Sequence, residues 1–330
     1  MSAIKPTLTY WAAVVFMAVV VIVLAGATAL NLRPSMDRWP SLKPAVGGSD
    51  SGIELRFIGT TGVVISDGTD TLVIDGFVTR PSLQKLLLSR IRPDVEEVQT
   101  VRAMTGVETL GAIMVTHSHF DHAMDAPEWV RQAGGEIWGT ASTRNIAIAE
   151  GIHTARTVSA GQSRTLGDFK VSFFDLAHAP KELMGGEIGD DFSLPAKASD
   201  YKSGGGLGFY FVHGQCRILA VPSAGTIHAD LKDYPADIVL LSIGMLGKQD
   251  EAYIENYWRK AVVDSGAKLV IAVHWDDFTR SFEKPVKPLP YAVDRVDVAM
   301  RKITELAGDE IFVALPVLFE PLDLSASTNC

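Results

Sequence analysis

The sequence feature that most constrains this chain is a dense cluster of metal-ligand side chains at positions 117–122, which read His-Ser-His-Phe-Asp-His. An apolar run precedes the cluster and a helix-like run follows it, so the cluster is predicted to lie on a turn at the end of a buried strand. Imidazole and carboxylate are side chains that bind a borderline cation such as zinc. Two histidines that stand two positions apart can also turn toward the same point. The cluster therefore predicts a metal site that contains His117, His119, Asp121 and His122.

Two further histidines follow other predicted strands. His178 comes after the apolar stretch 171–177, and His274 comes after the buried strand 268–273. A single histidine at a strand end is more often a structural residue, because histidine has many roles. Beside an existing cluster of ligands, however, we expect both side chains to join the metal site. Three others have no comparable position and are predicted to be surface or core residues: His153, His213 and His228.

Residues 1–30 differ in character from the rest of the chain. Positions 10–30 carry no charge, and about 20 apolar residues are enough to cross a bilayer as a helix. Tyr10 and Trp11 fit the aromatic belt at a membrane surface. A cleaved signal peptide is the alternative, because Lys5 precedes the apolar run and small residues end it. We expect a transmembrane anchor or signal segment, and basic residues on both sides leave its orientation open.

Charge and cysteine content exclude other classes of function. The net charge of −9, without a run rich in Lys or Arg, argues against a nucleic-acid-binding protein. The two cysteines, Cys216 and Cys330, form no Cys-x-x-Cys pair, which argues against a structural zinc site. Cys216 lies in a predicted strand, so we expect a buried apolar side chain, and Cys330 ends a polar tail. Two cysteines alone predict no disulfide framework.

The order of strands and helices predicts one large domain that follows a linker. Residues 31–52 hold three prolines and three glycines without periodicity, which is typical of a linker. A meander of three strands at 53–75 opens the domain and ends at Asp75, which either supports the metal site or is a simple turn residue. Strands followed by helices then occur twice, which predicts two sheets packed face to face with helices outside. The long segment 181–206 is expected to be a binding loop or lid.

The pattern His117-x-His119-x-Asp121-His122, followed by His178 and His274, resembles the metallo-β-lactamase superfamily. The resemblance covers about residues 53–318 and is strongest to a bacterial branch near the lactonase and phosphodiesterase-like hydrolases. It implies an α+β fold, a four-layer αββα sandwich of two mixed sheets, here preceded by an N-terminal transmembrane helix. By the family pattern, His117, His119 and His178 would hold one metal ion, and Asp121, His122 and His274 would hold a second.

The chain departs from the family pattern at one place. The family has a bridging aspartate after the strand that follows the third histidine, and this chain has Ser223 or Ala224 there. A serine hydroxyl is a poorer ligand than a carboxylate, so we expect the second metal to be weak or absent. Asp230 and Asp233 lie past the turn and are not expected to replace it. With one metal, Asp121 would be free to act as a general base on the attacking water.

These features predict a metal-dependent hydrolase that uses a metal-activated water on an ester, lactone or phosphodiester-type substrate. The expected cofactor is one or two Zn²⁺ ions, with Mn²⁺ or Fe²⁺ as alternatives, and Asp121 is the expected catalytic residue. A second hypothesis is a membrane-tethered metal-binding protein of this fold with weak or no catalysis. A third is a redox di-iron protein, against which the missing carboxylate argues.

The expected partners are a small-molecule or lipid-derived substrate and, through the N-terminal helix, a membrane. No nucleic acid is expected. We predict that residues 53–330 form the hydrolase domain and that this domain lies on the periplasmic or extracellular side of the membrane.

Overall fold

The computed structural model describes residues 8–42, 44–45, 52–324 and 329–330. Within these ranges, the chain forms an N-terminal apolar helix and a sandwich of two mixed β-sheets with helices on its outer faces. Lys5 and positions 46–51 of the predicted linker lie outside the described residues.

Helix α1, Leu8–Asn31, is the N-terminal apolar helix. Its 24 residues include no charged side chain, and a helix of this length rises about 36 Å, which exceeds the roughly 30 Å hydrocarbon core of a bilayer. Its stretch Trp11–Asn31 is not buried against the rest of the described structure. By length and composition α1 can therefore cross a membrane. A cleaved signal sequence can have the same properties, so both alternatives remain.

The first sheet contains six strands in sequence order. Strands β1 to β3 form an antiparallel meander, and β4 to β6 continue from β3 as parallel strands. Their bounds are Glu54–Gly59, Gly62–Ser66, Thr71–Ile74, Ala112–Met114, Glu136–Gly139 and Ala155–Thr157. The meander predicted at the start of the domain is confirmed.

The second sheet contains seven strands in the order β13-β12-β11-β10-β9-β8-β7. Strands β7 to β10 are antiparallel, and β10 to β13 are parallel. Their bounds are Ser163–Leu166, Phe169–Asp175, Leu207–His213, Cys216–Val221, Ile238–Ser242, Leu269–Val273 and Phe312–Ala314. Both sheets thus combine a meander with parallel strands, whose carboxyl ends lie along one edge of the sandwich.

Seven more α-helices lie in the described part of the domain. Helices α2 to α6 belong to the first half of the chain, whereas α7 and α8 belong to the second half. Their bounds are Leu83–Leu88, Val95–Thr105, Phe120–Ala123, Ala126–Ala133, Ala141–Ala149, Glu251–Trp258 and Val296–Ala307. After α7 the chain continues as a π-helical turn at Arg259–Val263.

Three apolar clusters hold the four layers together. Phe57, Phe173 and Phe209 belong to the cluster between the two sheets. Trp129 belongs to the cluster on the outer face of the first sheet, and Trp258 to the cluster on the outer face of the second. Complete burial of one such side chain stabilises the fold by about 1.5–3 kcal/mol. The predicted α+β class, a four-layer αββα sandwich of two mixed sheets, is confirmed.

The structure corrects the prediction for the two cysteines. Cys216, at the start of β10, forms a disulfide with Cys330, which lies 114 positions further along the chain. Cys216 is buried as predicted, but its sulfur is covalently bonded instead of being a plain apolar side chain. Next to the disulfide, the Asn329 amide donates a hydrogen bond to the Asp237 carboxylate at 2.6 Å. Spacing in sequence carries no information about such a pairing.

The described part of the segment predicted as a linker packs against the domain. Met36 and Trp39 are buried in the cluster on the outer face of the second sheet. Leu42 is buried in the cluster between the sheets. These residues therefore pack the chain after α1 against the sandwich. The predicted domain bounds, 31–52 for the linker and 53–330 for the domain, stay a prediction.

Candidate metal centre

The candidate site lies at the edge of the sandwich where parallel strands of both sheets end. Positions 117–122 follow β4, and Asp75 follows the neighbouring strand β3. From the second sheet, His178 follows β8 and His274 follows β12. Because the two sheets pack face to face, these strand ends converge on one point, as the sequence predicted.

His117, His119 and His178 form the first group of ligand-type side chains, and one nitrogen of each ring lies within 4.8 Å of the others. His117 Nε2 and His119 Nδ1 face each other at 3.0 Å, close to the roughly 3.3 Å expected between two ligands of a tetrahedral zinc ion. In two of the three rings the other nitrogen is held by the backbone. His119 Nε2–H donates to the Met184 carbonyl at 3.2 Å, and His178 Nδ1–H donates to the Ala179 carbonyl at 2.9 Å. These tautomers leave a free lone pair on the His119 and His178 rings for a metal, whereas His117 Nδ1 is buried without a hydrogen-bond partner among the described residues.

Asp121, His122 and His274 form the second group, with ligand atoms also within 4.8 Å of one another. Asp121 Oδ2 lies 3.6 Å from His274 Nε2 and 3.7 Å from His122 Nε2. The two groups are adjacent, since the ring centroids of His117 and His122 are 4.0 Å apart. The structure therefore brings together all six predicted site residues, and their role as ligands stays a prediction.

Asp75 orients His122. Its fully buried carboxylate accepts hydrogen bonds from the Thr116 N–H at 2.7 Å and from His122 Nδ1 at 2.8 Å. The hydroxyl groups of Thr61 and Thr116 also donate to it. Because Asp75 accepts His122 Nδ1–H, Nε2 is the ring nitrogen of His122 that faces Asp121. Of the two alternatives for Asp75, the structure favours support of the site.

Burial and neighbouring charges set the protonation states in the cluster. Burial, together with the neighbouring imidazoles, lowers the pKa of His117 well below its ordinary value, and burial beside His122 lowers the pKa of His274 to about 4. Both rings are therefore neutral at pH 7, as metal binding requires. Burial disfavours the ionised Asp121, but His122 and His274 outweigh it and lower the pKa of Asp121. Burial also disfavours protonated His122, yet Asp75 and Asp121 raise its pKa.

A buried ion pair supports the loop that carries His274. Arg80 pairs with Asp276, and Asp276 Oδ1 accepts the Thr60 N–H at 2.8 Å. The Thr60 carbonyl in turn accepts the His274 N–H at 2.5 Å. His274 has a φ of 59°, a left-handed conformation that is uncommon for a side chain of this size. A Cβ at Gly244 would lie 2.9 Å from the His274 ring, so only glycine fits beside it.

Ser223 lies next to the third histidine of the first group. Its hydroxyl oxygen accepts the Ala179 N–H at 3.2 Å, so the backbone already engages it. Among the residues that the structure describes, neither ligand group includes Asp230 or Asp233. Neither Ser223 nor Ala224, the two candidates for the position of the family's bridging carboxylate, supplies a carboxylate in this chain.

Sequence reasoning did not find Thr61, Arg80 or Gly244, because each acts through contacts between segments distant in sequence. It also placed His213 outside any site. The structure brings His213 within 3.1 Å of Asp67 and near Asp168, on hairpin turns at the opposite end of the sandwich. An acidic residue in a hairpin turn is common, so the sequence offered no signal for this third group.

Comparison with known proteins relates part of the chain to a known family. Residues 56–196 match the model of the metallo-beta-lactamase superfamily. A UPF0173 protein of Pyrococcus abyssi is 30% identical over 148 residues, which cover 44% of this chain and 65% of that protein. A UPF0173 metal-dependent hydrolase of Rubrobacter xylanophilus is 28% identical over 102 residues, which cover 31% of this chain and 41% of that protein. The chain thus spans less than two thirds of the length of these relatives.

A solved structure supports the fold over a longer stretch. The metallo-beta-lactamase fold protein YhfI from Bacillus subtilis superimposes with a TM-score of 0.50 at 13% identity. The superposition covers 81% of this chain and 98% of YhfI. At this identity the likeness concerns the fold alone.

Proposed function

We propose that this chain, which carries a metallo-β-lactamase superfamily domain, is a metal-dependent hydrolase. The observation that carries the proposal is the convergence of two adjacent groups of histidine and aspartate side chains at one edge of the sandwich. A bound zinc ion lowers the pKa of its water to about 7 and so supplies hydroxide at neutral pH.

The six side chains divide into two proposed ligand sets. His117, His119 and His178 would hold one ion, and Asp121, His122 and His274 would hold the second. Five imidazoles and one carboxylate suit Zn²⁺, with Mn²⁺ or Fe²⁺ as alternatives. The Met184 and Ala179 carbonyls and the Asp75 carboxylate orient three of the rings in advance, which favours binding of an ion over binding of protons.

Asp121 is the proposed catalytic carboxylate. Its lowered pKa keeps it ionised at neutral pH, and its Oδ2 lies between the Nε2 atoms of His122 and His274. A water between the two groups would therefore pass its proton to Asp121 Oδ2. When only the first ion is bound, this is a general-base role. When both are bound, Asp121 is a ligand and orients the water.

A substrate screen with metal removal tests the hydrolase proposal. We expect the full-length chain, loaded with Zn²⁺, to hydrolyse one of three probes: p-nitrophenyl acetate, an acyl-homoserine lactone or bis-p-nitrophenyl phosphate. EDTA should abolish the activity, and added Zn²⁺ should restore it, because the attacking hydroxide depends on the ion. The second hypothesis, a tethered metal-binding protein with weak or no catalysis, has its support in Ser223. Stoichiometric Zn²⁺ binding without turnover of any probe would favour it and contradict the hydrolase.

Metal stoichiometry is expected to depend on position 223. We predict one tightly bound ion per wild-type chain and close to two per chain in Ser223→Asp, because a carboxylate adds a negative charge and a bridging oxygen. Elemental analysis after dialysis against metal-free buffer measures both. Ser223→Ala is the matched control, since it removes the hydroxyl without adding a ligand, and it should stay at one ion. Two ions per wild-type chain would show that the site bridges them without a carboxylate at 223.

We also propose that α1 anchors the chain in a membrane and that the domain lies on the periplasmic or extracellular side. The length and apolar composition of α1 support the anchor. The Cys216–Cys330 disulfide supports the exported side, because disulfides persist in oxidising compartments. The proposed partners are this membrane and a small-molecule or lipid-derived substrate.

A further inference from the structure

Three leucines near the candidate site are almost fully exposed to solvent. Leu87 and Leu88, on α2, are 73% and 78% exposed, and Leu183, in the loop after His178, is 96% exposed. We call them the rim leucines. A single exposed leucine needs no explanation, but several close together at the mouth of a site mark an interaction surface.

The two parts of this surface are joined to each other. Arg90, just past the end of α2, donates a hydrogen bond to the Pro195 carbonyl in the loop that carries Leu183. Ile91 and Ala196 form a β-bridge beside it. Leu86 of α2 and Met184 also pack against the same apolar cluster. The two segments that carry the rim leucines are therefore in contact with each other.

The segment that carries Leu183 lies beside the candidate metal centre. Leu183 stands between Glu182 and Met184, and both of these contact His119. The Met184 carbonyl accepts His119 Nε2–H at 3.2 Å, and Glu182 Oε1 lies 3.6 Å from the same nitrogen. The backbone at position 183 is therefore fixed beside the site while its side chain points away from the protein.

The end of α1 is fastened to the same side of the domain. Arg33, two positions after α1, donates to Asp277 Oδ2 at 2.6 Å, and the Leu32 carbonyl accepts the Tyr291 N–H at 3.0 Å. Asp277 follows His274 by three positions, and its carbonyl accepts a hydrogen bond from Arg80 at 3.3 Å. Helix α2 begins three residues after Arg80, a span of at most about 10 Å. The anchor helix, the His274 loop and α2 are thus neighbours.

The charge around α2 also differs from that of the whole protein. Positions 82–93 carry Lys85, Arg90 and Arg92 and no acidic residue, although the chain as a whole has a net charge of −9 and acidic residues follow at 94, 96 and 97 and precede Leu183 at 182. All three basic residues are exposed. Exposed leucines flanked by basic residues are typical of segments that lie at the surface of an anionic bilayer.

From these observations we propose that the rim leucines and the basic residues of α2 rest on the bilayer that α1 spans, with the leucines at the level of the acyl chains. The proposal rests on the anchoring by α1 proposed above and is independent of catalysis. It places the mouth of the metal centre at the headgroup layer.

Nitroxide labels on the full-length chain test this surface. The chain is incorporated into nanodiscs of phosphatidylcholine and phosphatidylglycerol, and one cysteine is introduced and labelled at a time, while the native cysteines remain in their disulfide. Leu87→Cys and Leu183→Cys probe the surface. Val263→Cys is the control, because Val263 is 54% exposed and precedes β12, at the opposite end of the sheet from His274. Collision rates with oxygen and with a water-soluble nickel complex are measured by electron paramagnetic resonance.

The expected result is that labels at 87 and 183 collide several-fold more with oxygen than with the nickel complex, whereas the label at 263 shows the reverse. If the labels at 87 and 183 collide more with the nickel complex than with oxygen in a chain that has entered the discs, the rim leucines do not contact the bilayer. The proposal that α1 anchors the chain would be unaffected. Broadening of the spectrum by a second label close to position 183 would show that the leucines contact a second copy of the chain. That result would also contradict the proposed membrane contact. Failure to enter the discs would contradict the anchor, and with it the surface. None of these measurements requires turnover, so their outcome does not depend on whether the chain is a hydrolase.

Discussion

Substitution of Asp121 by alanine is expected to abolish turnover of whichever probe the chain hydrolyses, with a loss of at least about 10²–10⁴-fold in kcat. Asp121 Oδ2 lies between His122 and His274, and these two rings hold its pKa below the ordinary range. It is therefore an ionised carboxylate where the attacking water would lose its proton. Alanine leaves neither a base nor a ligand at this point. Initial rates at saturating substrate and saturating Zn²⁺ measure the effect.

Metal analysis of the same variant separates the two roles proposed for Asp121. If Asp121 acts as a base beside one ion, the variant keeps that ion and loses the rate. If Asp121 is a ligand, the variant also loses metal relative to the wild type. Asp309→Ala is the matched control, because Asp309 is an exposed carboxylate in the turn before β13, at the opposite end of the sheet. Full activity in Asp121→Ala would remove this residue from the mechanism.

The grouping of the six candidate side chains was largely predictable because their positions follow local rules, whereas their role as ligands stays a prediction. The residues at 117–122 are close in sequence and therefore close in space whatever the fold. His178 and His274 were predicted from their positions at the ends of strands, and β8 and β12, which they follow, end at the same edge of the second sheet. The groups that orient these ligands follow no local rule. Thr61 and Arg80 act across segments, and the sequence left two alternatives for Asp75.

The same distinction holds for the fold. A strand with a continuous apolar run, such as β12, was predicted to within a residue or two, because burial on both faces dictates its composition. Strand β7, Ser163–Leu166, was missed, since it lies at the edge of its sheet and none of its side chains is fully buried. A partly exposed edge strand needs no apolar alternation. The π-helical turn after Trp258 likewise follows from packing and has no signature in composition.

The disulfide is the clearest case of a feature invisible in sequence, and its removal is expected to have the largest effect on stability. Cys330→Ser should lower the free energy of unfolding by about 4 kcal/mol, because the cross-link closes a loop of roughly 100 residues and so restricts the unfolded chain. Cys216 is buried between the sheets, and the adjacent Asn329 binds Asp237, so the cross-link joins structure that is already in place. Guanidinium unfolding of the detergent-solubilised full-length chain, followed by tryptophan fluorescence, measures the change.

Reduction of the wild type is the matched control. In dithiothreitol the wild type should unfold at the same denaturant concentration as Cys330→Ser. The midpoint of Cys330→Ser itself should not change when the reductant is added. Equal midpoints for oxidised wild type and the variant would mean that the cross-link does not stabilise the fold.

The same disulfide also reports on the compartment of the domain, since the cytosol keeps such thiols reduced. Protein trapped with a thiol-blocking reagent at the moment of cell lysis should therefore react with maleimide only after reduction. Reaction before reduction would place the domain in a reducing compartment and would contradict the orientation proposed for α1, whatever the outcome of the unfolding measurement.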